Sequence, residues 1–386
     1  MVGPNCLVIA GEKSGEEHCL SFFDSLRASY PEMSFWGVGG DDLQDRGMEL
    51  LYHLKDFSSM GFSEVILKVP FYLKALRVIE DEVKKRQCKV AILIDFQDFN
   101  LKLSKKLKSL GVKVLYYVAP QAWAWKEWRA KTIQETTDTL FTILPFEKKW
   151  FQDRGVKNVV SLKHPLWLSY KDKILNKKPG DECHYEGNWK GSPKTILLLP
   201  GSRNSEVSSL LPMFVKAAEL LTNKWEIDLR IVTSENVSDS YYKPFAHLFN
   251  RVYESKALGD ALLEADLAVA ASGTVTLAAA LFSVPTVVCY NLSLLNNFIF
   301  YNFLNYDGPI SLANIVHGDF VFPELFNEGF SDFNVAQALN NWLEDYEKFS
   351  TLKNRLRGTE ALLRGEMEDV APCLEGLLRE SYVNNG

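Results

Sequence analysis

Hydrophobic positions in this chain gather into short apolar runs separated by amphipathic stretches. Residues 7–10, 90–94, 112–118 and 140–144 are such runs, and the segments between them are helix-like. Strands of a parallel sheet covered on both faces read as continuous Val/Ile/Leu stretches, because neither face meets water. A parallel α/β half is therefore predicted. A second series follows at 195–199, 229–232, 267–270 and 286–290, with an amphipathic stretch at 210–221 that predicts a helix. Between the two series, residues 171–193 are polar and hold Pro179, Gly180, Gly187, Gly191 and Pro193, which predicts a surface linker. The expected organisation is a first doubly wound domain over 1–170, the linker 171–193, a second doubly wound domain over 194–334, and C-terminal helices over 335–386. Leu339, Trp342, Leu343 and Tyr346 stand at helical spacing in that last segment. It either closes the second domain, crosses back onto the first, or is exchanged with a second copy in a homodimer. Two doubly wound sheets are expected to face each other across a cleft lined by loops from their strand ends.

Composition narrows the class. Of 386 residues, 47% are hydrophobic and 24% charged, an ordinary globular balance in a chain too long for one core. Solenoid, collagen-like and disordered classes are excluded, since neither a fixed-period repeat nor a low-complexity tract is present. A net charge of −6 argues against nonspecific nucleic-acid binding, so any anionic partner must be met locally. The six cysteines contain no CxxC pair, which points to free thiols in a reducing cytosol rather than zinc or disulfides. Residues 1–10 show neither a basic leader region nor a small-residue cleavage site, so an unexported chain is expected. No apolar run approaches the ~20 residues that cross a bilayer, so membrane contact is expected to be peripheral.

Glycine-rich turns follow several of the predicted strands. Gly11-Glu12-Lys13-Ser14-Gly15-Glu16 comes directly after the first, where small residues bring backbone N–H groups close to a ligand at a helix start or simply allow tight packing. The chain has no GxGxxG after a strand and no GxxxxGK[ST] loop, which disfavours nicotinamide and ATP chemistry. In the second half, Pro200-Gly201-Ser202-Arg203 and Ser272-Gly273-Thr274 each stand between a strand and a helix. Arginine, hydroxyls and unpaired helix N–H groups hold a diphosphate without a metal. The alternative for Arg203 is a surface ion pair with Glu206 or another acid.

Asp95 follows the apolar run 90–94, at a strand end where a partly desolvated carboxylate accepts a proton from a hydroxyl. Asp98 and Asn100, close behind it, suit helix capping or a sugar pocket. Gln121 and Trp123, with Trp125, follow the run 112–118 and shape either a sugar or acyl pocket or ordinary packing. His164 is a second candidate base or a hydrogen-bonded structural histidine. No histidine has ligand spacing, so neither a metal nor another cofactor is expected. Residues 60–79 mix Val69, Phe71, Leu73 and Leu76 with Lys68, Lys74 and Arg77, a pattern that rests on an anionic lipid surface or packs as a buried helix. Residues 292–306 form a second aromatic and aliphatic stretch with the same two readings.

Taken in order, these motifs resemble the lipid A disaccharide synthase family, inverting glycosyltransferases of the GT-B fold. The resemblance spans most of the chain: Gly11–Glu16, Gly37-Val38-Gly39-Gly40, Met60-Gly61 with Glu64-Val65, Asp95 to Asn100, Tyr116 to Trp125, Leu144-Pro145-Phe146-Glu147, His164-Pro165, the LLPGSR run ending at Arg203, Ser272-Gly273-Thr274, and Ser311 to Asn314. It implies two Rossmann-like α/β domains, and transfer from UDP-2,3-diacylglucosamine to 2,3-diacylglucosamine 1-phosphate (lipid X). The products would be UDP and a β(1→6)-linked disaccharide 1-phosphate. A cytoplasmic enzyme held peripherally on the inner face of the inner membrane is implied as well. The residue matching Asp95 is then the base for the acceptor hydroxyl. Ser14, Gly15, Gly201, Ser202, Arg203, Ser272, Gly273, Thr274 and Asn314 fall on the donor side, and Asp98, Asn100, Gln121 and Trp123 on the acceptor side.

The sequence departs from the family pattern at four positions. Ala278 stands where a glutamate is usual, Asn291 where a basic residue is usual, Glu16 where Asp is usual, and Gln97 where Pro is usual. Two other readings therefore stay open: a diverged transferase or nucleotide-sugar epimerase of the same architecture, and a non-catalytic membrane-associated binding module.

Overall fold

The structure is a computed structural model that describes residues 3–57, 62–176, 189–290, 308–326, 329–367, 370–378 and 381, with the backbone alone at 62–67, 125 and 378. The stretch 292–306, Met60-Gly61, Asn291 and residues 177–188 of the expected linker lie outside the described residues.

Seven parallel strands form the first sheet: β1 (Asn5–Ala10), β2 (Ser34–Gly39), β3 (Glu49–His53), β4 (Val90–Ile94), β5 (Lys113–Tyr117), β6 (Thr139–Thr142) and β7 (Val159–Ser161). Their spatial order is β3-β2-β1-β4-β5-β6-β7. The alternation of a strand sends Leu7 and Ile9 to one face and Cys6, Val8 and Ala10 to the other. Leu7 and Ile9 pack with Ala75, Leu76 and Ile79 of the helix Phe62–Lys85 and with Leu103 and Leu107 of the helix Gln97–Ser109. Cys6, Val8 and Ala10 pack with Phe22, Phe23 and Leu26 of the helix Lys13–Ser29. Burial on both faces explains why β1 and β4 are apolar at nearly every position.

The second sheet repeats the plan with β8 (Lys194–Leu199), β9 (Ile227–Thr233), β10 (Arg251–Glu254), β11 (Leu267–Ala271), β12 (Thr286–Tyr290) and β13 (Glu324–Phe326), ordered β10-β9-β8-β11-β12-β13. Ile196 and Leu198 face Leu210, Leu211 and Phe214 of the helix Asn204–Thr222, while Leu197 and Leu199 face Ala278, Ala279 and Ala280 of the helix Thr274–Leu281. Two doubly wound α/β units are thus present, as the hydrophobic pattern predicts. Strands β2, β3, β7, β10 and β13 were not among the predicted runs. They are short, glycine-containing or half-exposed, so they never produce a long apolar stretch.

Backbone packing divides the chain into Met1–Pro165 with Gly365–Gly386, and Leu166–Arg364. The changeover thus precedes the polar 171–193 segment. The helix Pro165–Leu175 belongs to the second unit, where the Tyr170 ring meets Phe282 at 5.1 Å and Lys173 pairs with Asp260. The helix Asp332–Glu344 also stays there, its Val335, Leu339 and Leu343 packed with Leu210 and Phe214. The last residues return to the first unit. The Glu366 N–H donates to the Ser161 carbonyl at 2.8 Å, the Lys163 N–H to the Met367 carbonyl at 2.8 Å, and Leu374 is fully buried beside Val8 and Phe22. Gly365 makes the return possible: it has φ +53°, and a Cβ there would stand 2.3 Å from the Leu162 carbonyl.

Candidate active site

In an open α/β sheet, ligands bind outside the carboxyl ends of the strands where the winding reverses. In the first unit that point lies between β1 and β4, which places the Gly11–Glu16 turn beside Asp95. Beyond Ile94 the backbone turns sharply, with φ +46° at Asp95 and +44° at Phe96. Left-handed conformations at non-glycine residues cost on the order of 1–3 kcal/mol each and persist only where the surroundings over-determine them. Here the Asp95 N–H donates to the Tyr117 carbonyl at 2.9 Å, while its own carbonyl accepts from Asn100 Nδ2 at 2.8 Å and from the Tyr116 hydroxyl at 3.1 Å. The Phe96 ring lies over Gly11, where a Cβ would come within 2.8 Å of it, so only glycine fits beneath. The same ring packs against Phe57 and Phe99 at 5.8 and 5.6 Å.

This turn puts the Asp95 carboxyl on the wall of a cavity of about 600 Å³. Burial pushes that carboxyl up to about 6; the Glu12 carboxylate adds to the rise, and the Phe96 N–H offsets part of it. Glu12 lines the cavity as well, and burial raises its carboxyl too. Val69, Tyr72, Leu73 and Leu76 supply an apolar wall; their i, i+3, i+4, i+7 spacing is one stripe of the helix Phe62–Lys85. Opposite in character are Asp98 and Lys102, one turn apart on the helix Gln97–Ser109, and Arg129 from the helix Trp128–Thr136. Arg129 is only 1% exposed; its guanidinium donates to Gln97 and, at 2.6 Å, to Asp98 Oδ1. Of the acceptor-side candidates, then, Asp98 reaches the cavity. Asn100 is fully buried and braces the Asp95 backbone instead, through Ile94 and Asp95 carbonyls. Gln121 is exposed and, like Trp123, is not on this wall. The Trp123 indole donates to Glu147 at 3.1 Å, and burial pushes the Glu147 carboxyl up to about 7 against that donor and two backbone N–H groups.

The four residues expected to face lipid separate. Val69 and Leu73 are 44% and 48% exposed. Leu76 is buried in the core, and Phe71 packs edge-on against Phe57 at 5.2 Å, which corrects both assignments: both side chains pack into the core of the first unit. Ser14 is exposed and Gly15 buried in the first turn of the helix Lys13–Ser29. Lys13 pairs with Asp42 and Glu16, and the buried Glu16 carboxylate accepts from the Leu43 N–H, so this part of the glycine motif braces the loop after β2. His164 is buried in the first unit, and desolvation, with His18 adding, holds its imidazole down to about 4, a poor proton acceptor at neutral pH.

The second unit has its own cavity, of about 380 Å³, at the corresponding reversal between β8 and β11. Gly201, Ser202, Arg203, Ser272, Gly273 and Thr274 all line it. The helices Asn204–Thr222 and Thr274–Leu281 both start at this wall, so their first N–H groups and dipoles favour an anion there. The Glu206 carboxylate accepts from the Ser202 N–H at 2.9 Å and from Arg203 at 2.7 Å, while Arg203 itself is 76% exposed. The ion pair read as the alternative for Arg203 is therefore present on the same wall. Asn314 does not line this cavity. It is fully buried, its amide nitrogen donating to the Phe322 carbonyl and to Glu324, and its oxygen accepting from the Phe322 N–H. Ala278, at the departing position, is fully buried among alanines, so no side chain from there reaches the cavity. Ser234 and Ser255 line it instead.

Glu12, Lys102, Arg129 and Glu206 escaped the sequence reading as site residues. Arg129 had a local signal, a cation four residues beyond Trp125; Glu12 stood in the glycine turn, Glu206 read only as an ion-pair partner of Arg203, and Lys102 as ordinary surface charge.

Comparison with known proteins bears on the family and the fold. A family model described as lipid-A-disaccharide synthetase matches residues 6–374. The lipid-A-disaccharide synthase of Nitrosococcus oceani is 32% identical, covering 91% of this chain and 90% of its own, and that of Myxococcus xanthus is 33% identical, covering 94% and 95%. Among solved structures, the fold resembles UDP-GlcNAc 2-epimerase from Neisseria meningitidis (TM-score 0.57, 10% identity, 97% and 100% covered). It also resembles the calicheamicin glycosyltransferase CalG4 (TM-score 0.58, 12% identity, 99% and 100% covered).

Proposed function

This chain belongs to the lipid-A-disaccharide synthetase family, and from that premise we propose that it joins UDP-2,3-diacylglucosamine to 2,3-diacylglucosamine 1-phosphate, releasing UDP and a β(1→6)-linked disaccharide 1-phosphate. The observation that carries the residue assignment is Asp95, a carboxyl on a left-handed backbone turn, raised to about 6 on a wall it shares with an apolar stripe. A carboxylate of that basicity is still ionised at neutral pH and is a stronger base than an exposed one. The acceptor hydroxyl passes its proton to Asp95 as its oxygen bonds to the donor's anomeric carbon. The bond from that carbon to the diphosphate breaks on the opposite face, which inverts the centre.

The departing diphosphate takes the electron pair. The second unit's cavity supports that role, because Arg203, Ser202, Thr274 and two helix starts on its wall supply positive charge and donors. Gly201, Gly273 and Ser272 let the backbone approach, and Ser234 and Ser255 stand available to ribose hydroxyls where Ala278 offers nothing. Asn314 supports the donor side indirectly, as a brace between the helix Leu312–His317 and the start of β13. Incubation with both acylated sugars and mass spectrometry of the products tests the reading. A disaccharide 1-phosphate with stoichiometric UDP supports it, and an isomerised sugar nucleotide with no disaccharide refutes it.

Acylated substrates reside in a membrane, and peripheral attachment at its cytoplasmic face is part of the proposal. Among the described residues no helix is long and apolar enough to cross a bilayer. The exposed Val69 and Leu73, on the helix that carries Lys68, Lys74 and Arg77, support lipid contact. Replacing both by serine is expected to weaken binding to anionic liposomes, read by flotation, by roughly thirtyfold, since each side chain contributes on the order of 1 kcal/mol when half-exposed. The melting temperature should stay within a degree or two, as roughly expected for exposed positions. Unreduced flotation would assign the stripe to the cavity alone.

A further inference from the structure

Arg129 is a buried cation on the cavity wall of the first unit. Its guanidinium is 1% exposed, whereas Asp98, the carboxylate that pairs with it at 2.6 Å, is 68% exposed and so stays hydrated. The same Asp98 oxygen lies 3.8 Å from Lys126 Nζ, and Lys102 stands one helical turn beyond Asp98 on the cavity wall. Asp98 therefore pairs with two cations, Arg129 and Lys126, while a third, Lys102, shares the cavity wall with Asp98 and Arg129. The remaining acids on the wall, Asp95 and Glu12, belong to the turns after β4 and β1.

We infer that Arg129 and Lys102, with Lys126 paired to the same Asp98 carboxylate, form a phosphomonoester subsite, whose place is marked by that carboxylate, and that it reads the phosphate of the acceptor. The inference rests on the transfer reading above, which supplies an acceptor with acyl chains, a nucleophilic hydroxyl and a phosphate. One cavity offers a partner for each: the Val69–Leu76 stripe for chains, Asp95 for the hydroxyl, and the cationic end for the phosphate. A phosphomonoester carries close to two negative charges and several acceptor oxygens, more than one carboxylate supplies. A guanidinium fixed by Gln97 presents its planar fork without further ordering, which favours phosphate over a spherical anion. Asp98, being exposed, is free to turn toward water when the phosphate arrives.

The test is direct binding, which does not depend on turnover. Calorimetry compares 2,3-diacylglucosamine 1-phosphate with its dephosphorylated counterpart on the wild type, Lys102→Gln and Arg129→Lys, with thermal unfolding as a fold control. The expected result is a wild-type preference of about tenfold or more for the phosphorylated sugar, reduced to about threefold or less in the variants, as loss of charge-assisted bonds predicts. Because Lys102 is exposed, Lys102→Gln keeps the test decisive even if Arg129→Lys is poorly folded. An undiminished preference in Lys102→Gln overturns the proposal. So does a loss of binding to phosphatidylglycerol vesicles with sugar preference intact, which would assign the cations to a bilayer headgroup. Inorganic phosphate is expected to weaken binding of the phosphorylated sugar only; equal weakening of both sugars overturns the assignment. Failure of the transfer reading shows separately, as absence of disaccharide product from the wild type.

Discussion

Replacing Asp95 by asparagine is expected to lower kcat for disaccharide formation by roughly 10³-fold, within the range that general-base catalysis contributes, and to leave the protein more stable at neutral pH. The two effects share one cause. Asparagine keeps the shape of the side chain and tolerates the left-handed backbone at this position, so the strained turn held by Asn100 and Tyr116 survives. What disappears is a buried negative charge. The folded chain raises this carboxyl from an ordinary 3.8 to about 6, so it binds the proton more tightly than the unfolded chain does. Stability contributed by the group is therefore present below about pH 4 and lost as pH rises to 6. The loss at neutral pH is at most about 3 kcal/mol for a shift from 3.8 to about 6, and partial exposure reduces it. Thermal unfolding at pH 4 and pH 7.5 checks the sign: Asp95→Asn should gain little at the lower pH and most at the higher. The same carboxyl sets the acid limb of kcat/KM, which should rise with pH through about 6. Glu12→Gln removes the second cause of the rise, so the limb should move to lower pH. A variant at Asp95 that turns over normally would remove the residue from the chemistry.

The second large effect concerns the donor. Arg203→Ala is expected to weaken UDP binding by about 10- to 100-fold, the equivalent of losing a charge-assisted contact of roughly 1.5–3 kcal/mol. Arg203 is exposed and already bonded to Glu206, so nucleotide binding exchanges one anion for another rather than filling an empty fork. That exchange places the expected loss toward the lower end and makes it salt-dependent. Titration calorimetry with UDP in low and high salt is the measurement. Equal affinity in wild type and variant would leave the Ser272–Thr274 turn and the two helix starts as the whole anion site.

Much of this site was legible because its parts are local. A buried strand followed by glycine, serine and arginine is recognisable within ten residues, since strand burial and turn chemistry are properties of short segments. The Asp95 position was legible for the same reason, as the residue after an apolar run. Its strained backbone was not: Asp95 and Phe96 look like ordinary residues, and their left-handed conformation is imposed by Asn100, Tyr116 and the ring-on-glycine contact with Gly11. Similarly, Leu76 and Phe71 carried the composition of a lipid-facing helix, and which stripe of that helix turns inward depends on Phe57 and the sheet below.

By itself the sequence determined the two α/β halves, the turns that carry anion-binding donors, the base candidate and the family, because each is written in short-range hydrophobic periodicity or in contiguous motifs. Only the tertiary structure decided that Arg129, 34 positions beyond Asp95 in the chain, shares a wall with it, that Asn100 and Asn314 are braces, and that the last residues close the first unit while the helix Asp332–Glu344 closes the second. The physical reason is that a side chain's role follows from its burial and its partners, and residues far apart in sequence become partners only when packing of apolar faces brings them together.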